Sequence, residues 1–257
     1  MTWRDPSALV AHGAGLARFP GEAAPSESDG DHVMGVAVHA WLAGYPVQRW
    51  GRRWLSGGEM VLRYRRPVSV GDQLEVRILD EPETMEIVVQ APSEDVVARA
   101  QASEGLNPSL SFDFPDPASF GPPSSEHQPI APVAEALEGR SLGALDVDFD
   151  ADRDLAFLHR VEGDEPWATL GYAHPAWLST AVNELLSRRV AFDHGRWIHA
   201  GTAFRSLHPI PTGTSLRLAG RIERLFDRDD RRFADAAVVV TDAEGPAAII
   251  VHTIVYA

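Results

Sequence analysis

Residues 62–74 read LRYRRPVSVGDQL, and residues 204–216 read FRSLHPIPTGTSL. The two stretches share an arginine, a proline, a glycine and a leucine at matching places, 142 positions apart (204 − 62 = 142). The same offset places His174 opposite His32, each beside an apolar segment with helical spacing. Self-similarity at a fixed spacing is the signature of a repeated structural unit. The sequence therefore predicts two copies of one module.

Each predicted module contains one long helix followed by strands. Apolar residues recur with a period near 3.6 over 33–47 and over 175–190, so we predict helices there. Pro46 should end the first helix, and Pro175 suits the first position of the second. The segments that predict strands are 58–66, 73–79, 84–92, 94–103, 197–207, 215–226, 232–241 and 246–256. In both copies a proline and a glycine mark a tight turn, with the glycine supplying a positive φ.

The stretch between the modules is rich in proline, serine and glycine, which predicts a linker. We therefore place the first module at 1–104, the linker at 105–129 and the second module at 130–257. A helix wrapped by antiparallel strands, formed twice, is an α+β architecture. Joining the two sheets edge to edge leaves no exposed sheet edge between the modules.

Composition excludes several classes of function. The chain of 257 residues has no cysteine, and all 23 of its basic residues are arginine, which rules out disulfides, a thiolate nucleophile and a lysine Schiff base. A net charge of −14 argues against nucleic acid as a partner. The N-terminal residues lack the layout of a signal peptide, and there is no apolar run long enough to span a membrane. We expect a cytoplasmic protein that does not associate with membranes.

Two segments carry a resemblance to a known family. Residues 57–76, GGEMVLRYRRPVSVGDQLEV, resemble the strand that follows the helix in the MaoC-like dehydratase branch of the hotdog fold. Residues 173–186, AHPAWLSTAVNELL, are similar to the central helix of that family. The resemblance implies a double hotdog, in which an antiparallel sheet wraps a long central helix in each of two tandem modules. It also implies hydration or dehydration of an acyl thioester on coenzyme A or an acyl carrier protein. A fused pair of this kind is expected to be a monomer or a homodimer.

The catalytic loop of that family, GD-x-N-P-x-H, is incomplete in this chain. Gly163 and Asp164 match its opening, which makes Asp164 a candidate catalytic residue or an exposed loop carboxylate. In a second register Tyr172 replaces the aspartate. His174 directly precedes the proline-initiated helix, beside backbone N–H groups that lack helical partners. It can act as a base on water or on an acyl carbon, or it can cap the helix.

Four further residues are candidates for substrate binding: Trp177, His199, Arg63 and Arg65. Strand alternation predicts that His199 shares a face with Trp197 and Arg205. The two arginines can meet the phosphate of phosphopantetheine or of a nucleotide, or they can form the outward face of an edge strand. The tryptophans near the predicted helices can line an acyl tunnel or fill the core.

Two other functions stay open on the sequence. Glu184 on the second helix would serve a hotdog thioesterase as nucleophile or base, although a solvated or interface face also explains it. The incomplete loop also fits a non-catalytic acyl-binding double hotdog. Neither the spacing of the histidines nor any motif predicts a metal site or another cofactor.

Overall fold

The structure is a computed structural model. It describes residues 7–10, 32–33, 35–107, 110, 112–120, 138–150, 170–189 and 197–256. No helix within these ranges is long and apolar enough to cross a membrane.

Three α-helices lie in the described residues, two of them long, and Pro117–Phe120 form a short 3₁₀ helix. The α-helices are α1 (Gly35–Trp50), the short α2 (Arg52–Leu55) and α3 (Pro175–Arg189). The strands before α3 are β1 (Ser7–Val10), β2 (His32–Val33), β3 (Glu59–Tyr64), β4 (Val68–Ser69), β5 (Gln73–Asp80), β6 (Thr84–Gln90), β7 (Val96–Ser103) and β8 (Ser141–Phe149). The strands after it are β9 (Ile198–Ser206), β10 (Thr214–Arg228), β11 (Arg231–Asp242) and β12 (Gly245–Val255).

Ten of these strands form one antiparallel sheet in the order β1-β5-β6-β7-β3-β9-β12-β11-β10-β8, while β2 and β4 pair separately. The middle of the sheet is the β3–β9 pair, where Glu59 lies opposite Arg205 and Arg63 opposite Gly201. Glu59 is buried and forms an ion pair with Arg205 at 2.5 Å across this join. The two predicted sheets are therefore one continuous sheet across the described residues.

The strand order is the same in both halves. From the centre outward, each half has the strand after its long helix, then its last three strands in reverse order, then the strand before that helix. Gly71 and Gly213, aligned by the 142-residue offset, have φ values of 89° and 91°. The positive φ predicted for both turn glycines is confirmed. The shared strand order supports the predicted repeat.

The main core lies between the sheet and the two long helices, which contact each other. Side chains at 36–43 and 173–186 are buried on every face of α1 and α3, as expected of helices enclosed by a sheet. A second apolar cluster joins Phe114 to Ala203, Ala237, Ile249 and Val251. Alternation places these strand residues on the opposite face of the sheet, so part of the 112–120 segment covers that face.

The predicted helices and strands are present within a few residues of their expected bounds, but Pro46 does not end α1. The helix continues to Trp50, since Val47 and Trp50 are buried and their packing outweighs the hydrogen bond that proline cannot donate. It ends where the Gly51 N–H donates to the Val47 carbonyl and Gly51 has a φ of 59°. Strands β1 and β8, at the sheet edges, had no sequence prediction.

Candidate active site

His174 caps the start of α3. It is fully buried, and the Ala176 N–H donates a hydrogen bond to its Nδ1 at 3.0 Å. Because Nδ1 is the acceptor, the proton of the neutral ring lies on Nε2. Burial, and then the nearby His39, hold the pKa of His174 well below its usual value. In this arrangement His174 is neutral and carries its hydrogen-bond donor at Nε2. The structure therefore shows His174 as a helix cap, and its role as a base stays a prediction.

His39 connects the two long helices. It lies on α1, fully buried, with its Nδ1 3.0 Å from the Ser179 Oγ on α3. Burial, followed by the neighbouring His199, lowers the pKa of His39 to about 3. The sequence analysis did not single out this residue. The sequence signal that could have found it is a histidine inside an apolar helical stretch, because a buried polar ring needs a hydrogen-bond partner.

A β-bulge turns His199 toward the helices. Strand β9 pairs with β12 through Gly201 opposite Thr253 and then His199 opposite Ile254, so the register shifts at Ala200. An irregularity of this kind re-aims a side chain, and such bulges are common next to active sites. Arg205 contacts Phe114 on the other side of the sheet. The prediction that His199 and Arg205 share a face is therefore wrong, because simple alternation does not cross the bulge.

The bonds of His199 define its tautomer. Its Nε2 lies 2.9 Å from the Gly201 carbonyl oxygen and 2.9 Å from the Thr202 Oγ1. A carbonyl only accepts, so Nε2 carries the proton and Nδ1 carries the lone pair. The residue is partly exposed, but Nδ1 itself is buried and has no hydrogen-bond partner in the described part of the chain. Burial lowers the pKa of His199 to about 4, against the opposing effect of the Gly201 bond.

Tyr64 on β3 and Gly35 at the start of α1 lie against the same ring. The Tyr64 and His199 rings meet edge to face at a centroid distance of 5.0 Å. The Tyr64 hydroxyl lies 3.4 Å from the Thr202 Oγ1, and burial raises the pKa of Tyr64 well above its usual value. A Cβ on Gly35 would lie 3.0 Å from the His199 Nδ1. Residues from both halves of the chain thus surround His199.

His252 on β12 completes a cluster of four histidines, which we call the histidine cluster: His39, His174, His199 and His252. The His252 and His199 rings are 4.2 Å apart, and neither nitrogen of the fully buried His252 has a hydrogen-bond partner among the described residues. Burial, then His199 and His39, hold the pKa of His252 well below its usual value. The cluster is therefore neutral at physiological pH. No group of three acidic or histidine side chains in the described ranges can hold a metal ion.

Two of the other predicted site residues, Tyr172 and Trp177, have contacts elsewhere. Tyr172 is partly exposed, forms an isolated bridge with Pro211, and has the Arg52 guanidinium 5.4 Å from its ring centre. Asp164 lies outside the described residues. Trp177 packs against Phe149 in the core, with ring centres 4.7 Å apart.

Arg63 and Arg65 are exposed on the far side of β3 from the helices. They line a shallow groove together with Tyr64, Thr202 and Arg228. The groove thus borders both the arginines and the residues hydrogen-bonded beside His199. Strand alternation places the two arginines on one face and Tyr64 on the other.

Glu184 is buried rather than solvated. It is 6% exposed and forms an ion pair with Arg188 one turn later on α3. Of the two structural explanations predicted for this residue, the solvated face is wrong and the interface face remains. The Arg188 guanidinium therefore contacts the carboxylate oxygen that a nucleophile or base would use.

Comparisons with known proteins identify the fold. No protein-family model matches the chain, and no curated protein matches it in sequence. Among solved structures, a MaoC-like dehydratase matches with a TM-score of 0.52 and 13% identity, over 85% of this chain and 83% of the other. A double-hotdog protein of Mycobacterium tuberculosis matches with a TM-score of 0.55 and 12% identity, over 87% and 82%.

A third match is the dehydratase domain of PpsC from Mycobacterium tuberculosis, in complex with C12:1-CoA. Its TM-score is 0.53 with 17% identity, over 87% of this chain and 85% of that domain. Proteins of the thioesterase type also share this fold. At these identities the likeness concerns the fold, and one fold supports several reactions. The chain has the hotdog fold, and the structural resemblance to MaoC-like dehydratases that its sequence predicted is confirmed.

Proposed function

We propose that this protein is an acyl-thioester hydratase or dehydratase built as two tandem hotdog modules with an atypical catalytic loop. The modules are residues 1–104 and 130–257, joined by the linker 105–129. The observation that carries the proposal is the histidine cluster, which lies between the two long helices and the central strands. Neutral imidazoles are the groups most often used for proton transfer near pH 7.

The start of α3 is the proposed place for the thioester carbonyl. The first N–H groups of α3 are bonded to His174, since Ala176 donates to its Nδ1 and Trp177 and Leu178 donate to its carbonyl oxygen. What remains at this helix start is the positive end of the helix dipole, which stabilises negative charge that develops on an oxygen. His174 adds the Nε2–H donor that its cap bond to Ala176 fixes. Hydration and dehydration both pass through negative charge on this carbonyl, so a donor that stays neutral favours either direction.

The carrier of the acyl group is proposed to be coenzyme A or an acyl carrier protein. Both present a phosphate, and guanidinium groups bind phosphates with paired hydrogen bonds. Arg63 and Arg65 are proposed to contact it, because they are exposed in the groove that also borders Tyr64 and Thr202. Trp177, Asp164 and Tyr172 are kept as proposed site residues of lower rank. Trp177 packs against Phe149 and Tyr172 forms a bridge with Pro211, while Asp164 lies outside the described residues.

The thioesterase alternative is less well supported. It needs a reactive carboxylate on the central helix, and the buried Glu184 is already paired with Arg188. The binding-module alternative has one specific observation in its favour. His39, His174 and His252 are fully buried, as residues of a packed core would be.

Turnover measurements separate these functions. We expect the purified protein to hydrate enoyl-CoA thioesters of four or more carbons, with release of no free coenzyme A. Replacement of His174 by alanine should lower turnover about 10²–10⁴-fold, whereas Glu184→Ala should change it by no more than a few-fold. His174→Asn tests the two roles separately, since asparagine keeps the helix cap and loses the imidazole.

Three results would contradict the proposal. Release of coenzyme A that depends on Glu184 would indicate a thioesterase. An increase in melting temperature with acyl-CoA but no turnover on any acyl thioester would indicate a binding module. Full activity in both His174 variants would remove His174 from the site.

A further inference from the structure

We infer that Arg228 completes a phosphate-binding site with Arg63 and Arg65, on the face of the sheet that is turned away from the two long helices. The three residues line one groove across the join of the two halves, which we call the arginine groove. This site deepens the proposed function and rests on it, since the carrier of the acyl group is one source of a phosphate. The groove lies across the sheet from the histidine cluster, so the site binds a phosphate and takes part in no step of the reaction.

The pairing of the strands brings the three arginines to one end of the sheet. Arg63 lies on β3 and Arg65 follows the last residue of that strand, whereas Arg228 is the last residue of β10. Each strand from β3 through β9, β12 and β11 to β10 is antiparallel to the next. The C-terminal ends of β3 and β10 therefore lie at the same end of the sheet, and the groove there takes arginines from both halves of the chain.

No carboxylate lines the arginine groove among the described residues. Arg63 and Arg65 are exposed and form no ion pair with a described side chain, although the adjacent Arg66 is paired with Asp95. Guanidinium groups that share a groove repel each other unless an anion lies between them. The chain has a net charge of −14 and thus carboxylates in excess, so a groove lined by arginines alone indicates an anionic ligand.

The buried carboxylate of Asp235 lies beside the groove but does not neutralise it. Its Oδ1 accepts a hydrogen bond at 2.7 Å from the hydroxyl of Thr253, a residue that lines the groove. Its Oδ2 accepts two hydrogen bonds from Arg224, at 2.6 and 3.1 Å. The charge of Asp235 is therefore compensated by Arg224, and the arginines of the groove keep their positive charge.

Gly201 and Arg228 give the groove its shape. Gly201 lies opposite Arg63 and has no side chain, which leaves the floor of the groove open to a ligand. The Arg228 Cζ lies 4.6 Å from the ring centre of Phe233, so the guanidinium is already ordered on an aromatic face. Its ion pair with the exposed Asp229 is long, at 3.9 Å, and leaves the guanidinium available to a phosphate.

A phosphate group is the ligand chemistry that this groove fits. Guanidinium groups bind phosphate oxygens through paired hydrogen bonds that are strengthened by charge. A phosphate dianion also compensates more of the positive charge in the groove than a single carboxylate does. Coenzyme A and free inorganic phosphate are the two sources of this group that the experiment distinguishes.

Isothermal titration calorimetry on the whole protein tests the site with coenzyme A, pantetheine and inorganic phosphate as probes. We expect coenzyme A to bind and pantetheine, which has no phosphate, not to bind. Arg228→Gln and Arg63→Gln should each weaken the binding of coenzyme A about tenfold, since each removes a charged hydrogen-bond donor. Arg77→Gln is the matched control: it removes one positive charge from the same sheet, at an exposed arginine paired with Glu75 at 2.5 Å, and should leave the affinity within about twofold. The melting temperature of each variant without ligand shows whether it is folded.

The outcomes separate this site from the proposed function. Inorganic phosphate that binds as tightly as coenzyme A and depends on the same arginines supports the site and identifies free phosphate as its ligand. Wild type that binds neither probe, equal affinities in wild type and Arg228→Gln, or an equal loss in Arg77→Gln would each overturn the site. If acyl thioesters are turned over but binding does not depend on Arg228, the proposed function stands without this site. If binding depends on Arg228 but no acyl thioester is turned over, the site stands and the proposed function fails.

Discussion

The His39 Nδ1 on α1 and the Ser179 Oγ on α3 lie 3.0 Å apart, and both side chains are fully buried. These residues are 140 positions apart in the chain, one in each half. The contact therefore joins the two central helices through His39, which is a member of the histidine cluster. The same region of the molecule therefore contains both the contact between the two halves and the proposed active site.

Ser179→Ala should lower the free energy of unfolding by about 1–3 kcal/mol, because it leaves a buried ring nitrogen of His39 without its partner. Denaturant unfolding followed by tryptophan fluorescence measures the change. Ser56→Ala is the matched control, since Ser56 is exposed and its hydroxyl donates to the Arg52 carbonyl. An equal loss in both variants would show that the contact between the helices does not stabilise the fold.

The stability of the protein should fall as the pH drops below about 6.5. The pKa values of His39 and His199 are lowered to about 3 and about 4 in the folded state, whereas unfolded histidines titrate near 6.5. Between these values the unfolded chain binds protons that the folded protein does not. Each of the two histidines therefore lowers the free energy of unfolding by up to about 1.4 kcal/mol for each unit that the pH falls. Above pH 7 both states are neutral and this contribution is constant.

Urea unfolding at a series of pH values between 7.5 and 5 would measure this slope. His252→Leu removes one buried ring whose nitrogens have no partners in the described residues, and its slope should be smaller by about one proton. Identical slopes in wild type and variant would mean that His252 is protonated in the folded protein.

Gly35→Ala should impair both packing and activity, because the added Cβ would lie 2.8 Å from the Tyr64 ring and 3.0 Å from the His199 Nδ1. Overpacking of this kind costs about 1–3 kcal/mol, and it would displace the Tyr64 and His199 rings of the candidate site. We expect a lower melting temperature and a kcat reduced at least tenfold. Gly57→Ala is the control, since no atom lies within 4 Å of its Cβ position. An unchanged melting temperature and kcat in Gly35→Ala would show that the Tyr64 and His199 rings can move without consequence for the site.

Arg63→Gln together with Arg65→Gln should raise KM for an acyl-CoA about tenfold and leave kcat within a few-fold, because the arginines are proposed to bind a phosphate and not the reacting atoms. A thioester of N-acetylcysteamine lacks the phosphates, and its KM should be unaffected. Arg99→Gln is the control, at an exposed arginine already paired with Glu86. A similar rise in KM for both thioesters would show that the arginines act through the fold.

The sequence predicted the parts of this protein whose signals are local. The offset of 142 residues aligned Gly71 with Gly213, and both have the positive φ that a tight turn requires. Helical spacing located α1 and α3 within a few residues, since burial of one apolar segment per half needs that period. The prediction that α1 ends at Pro46 was wrong, because the packing of Val47 and Trp50 outweighs the tendency of proline to end a helix.

The residues of the candidate site required the tertiary structure. His174 was found from its place before Pro175, but its role as a cap follows from a hydrogen bond to Ala176. His39 and His199 come together because α1 packs against β9 and a bulge at Ala200 reverses the face of His199. The two-residue alternation of a strand cannot predict a β-bulge, because the bulge depends on the pairing with the neighbouring strand. The sequence by itself thus determined the hotdog fold, and the pairing of β9 with β12 decided that His199 faces the start of α1.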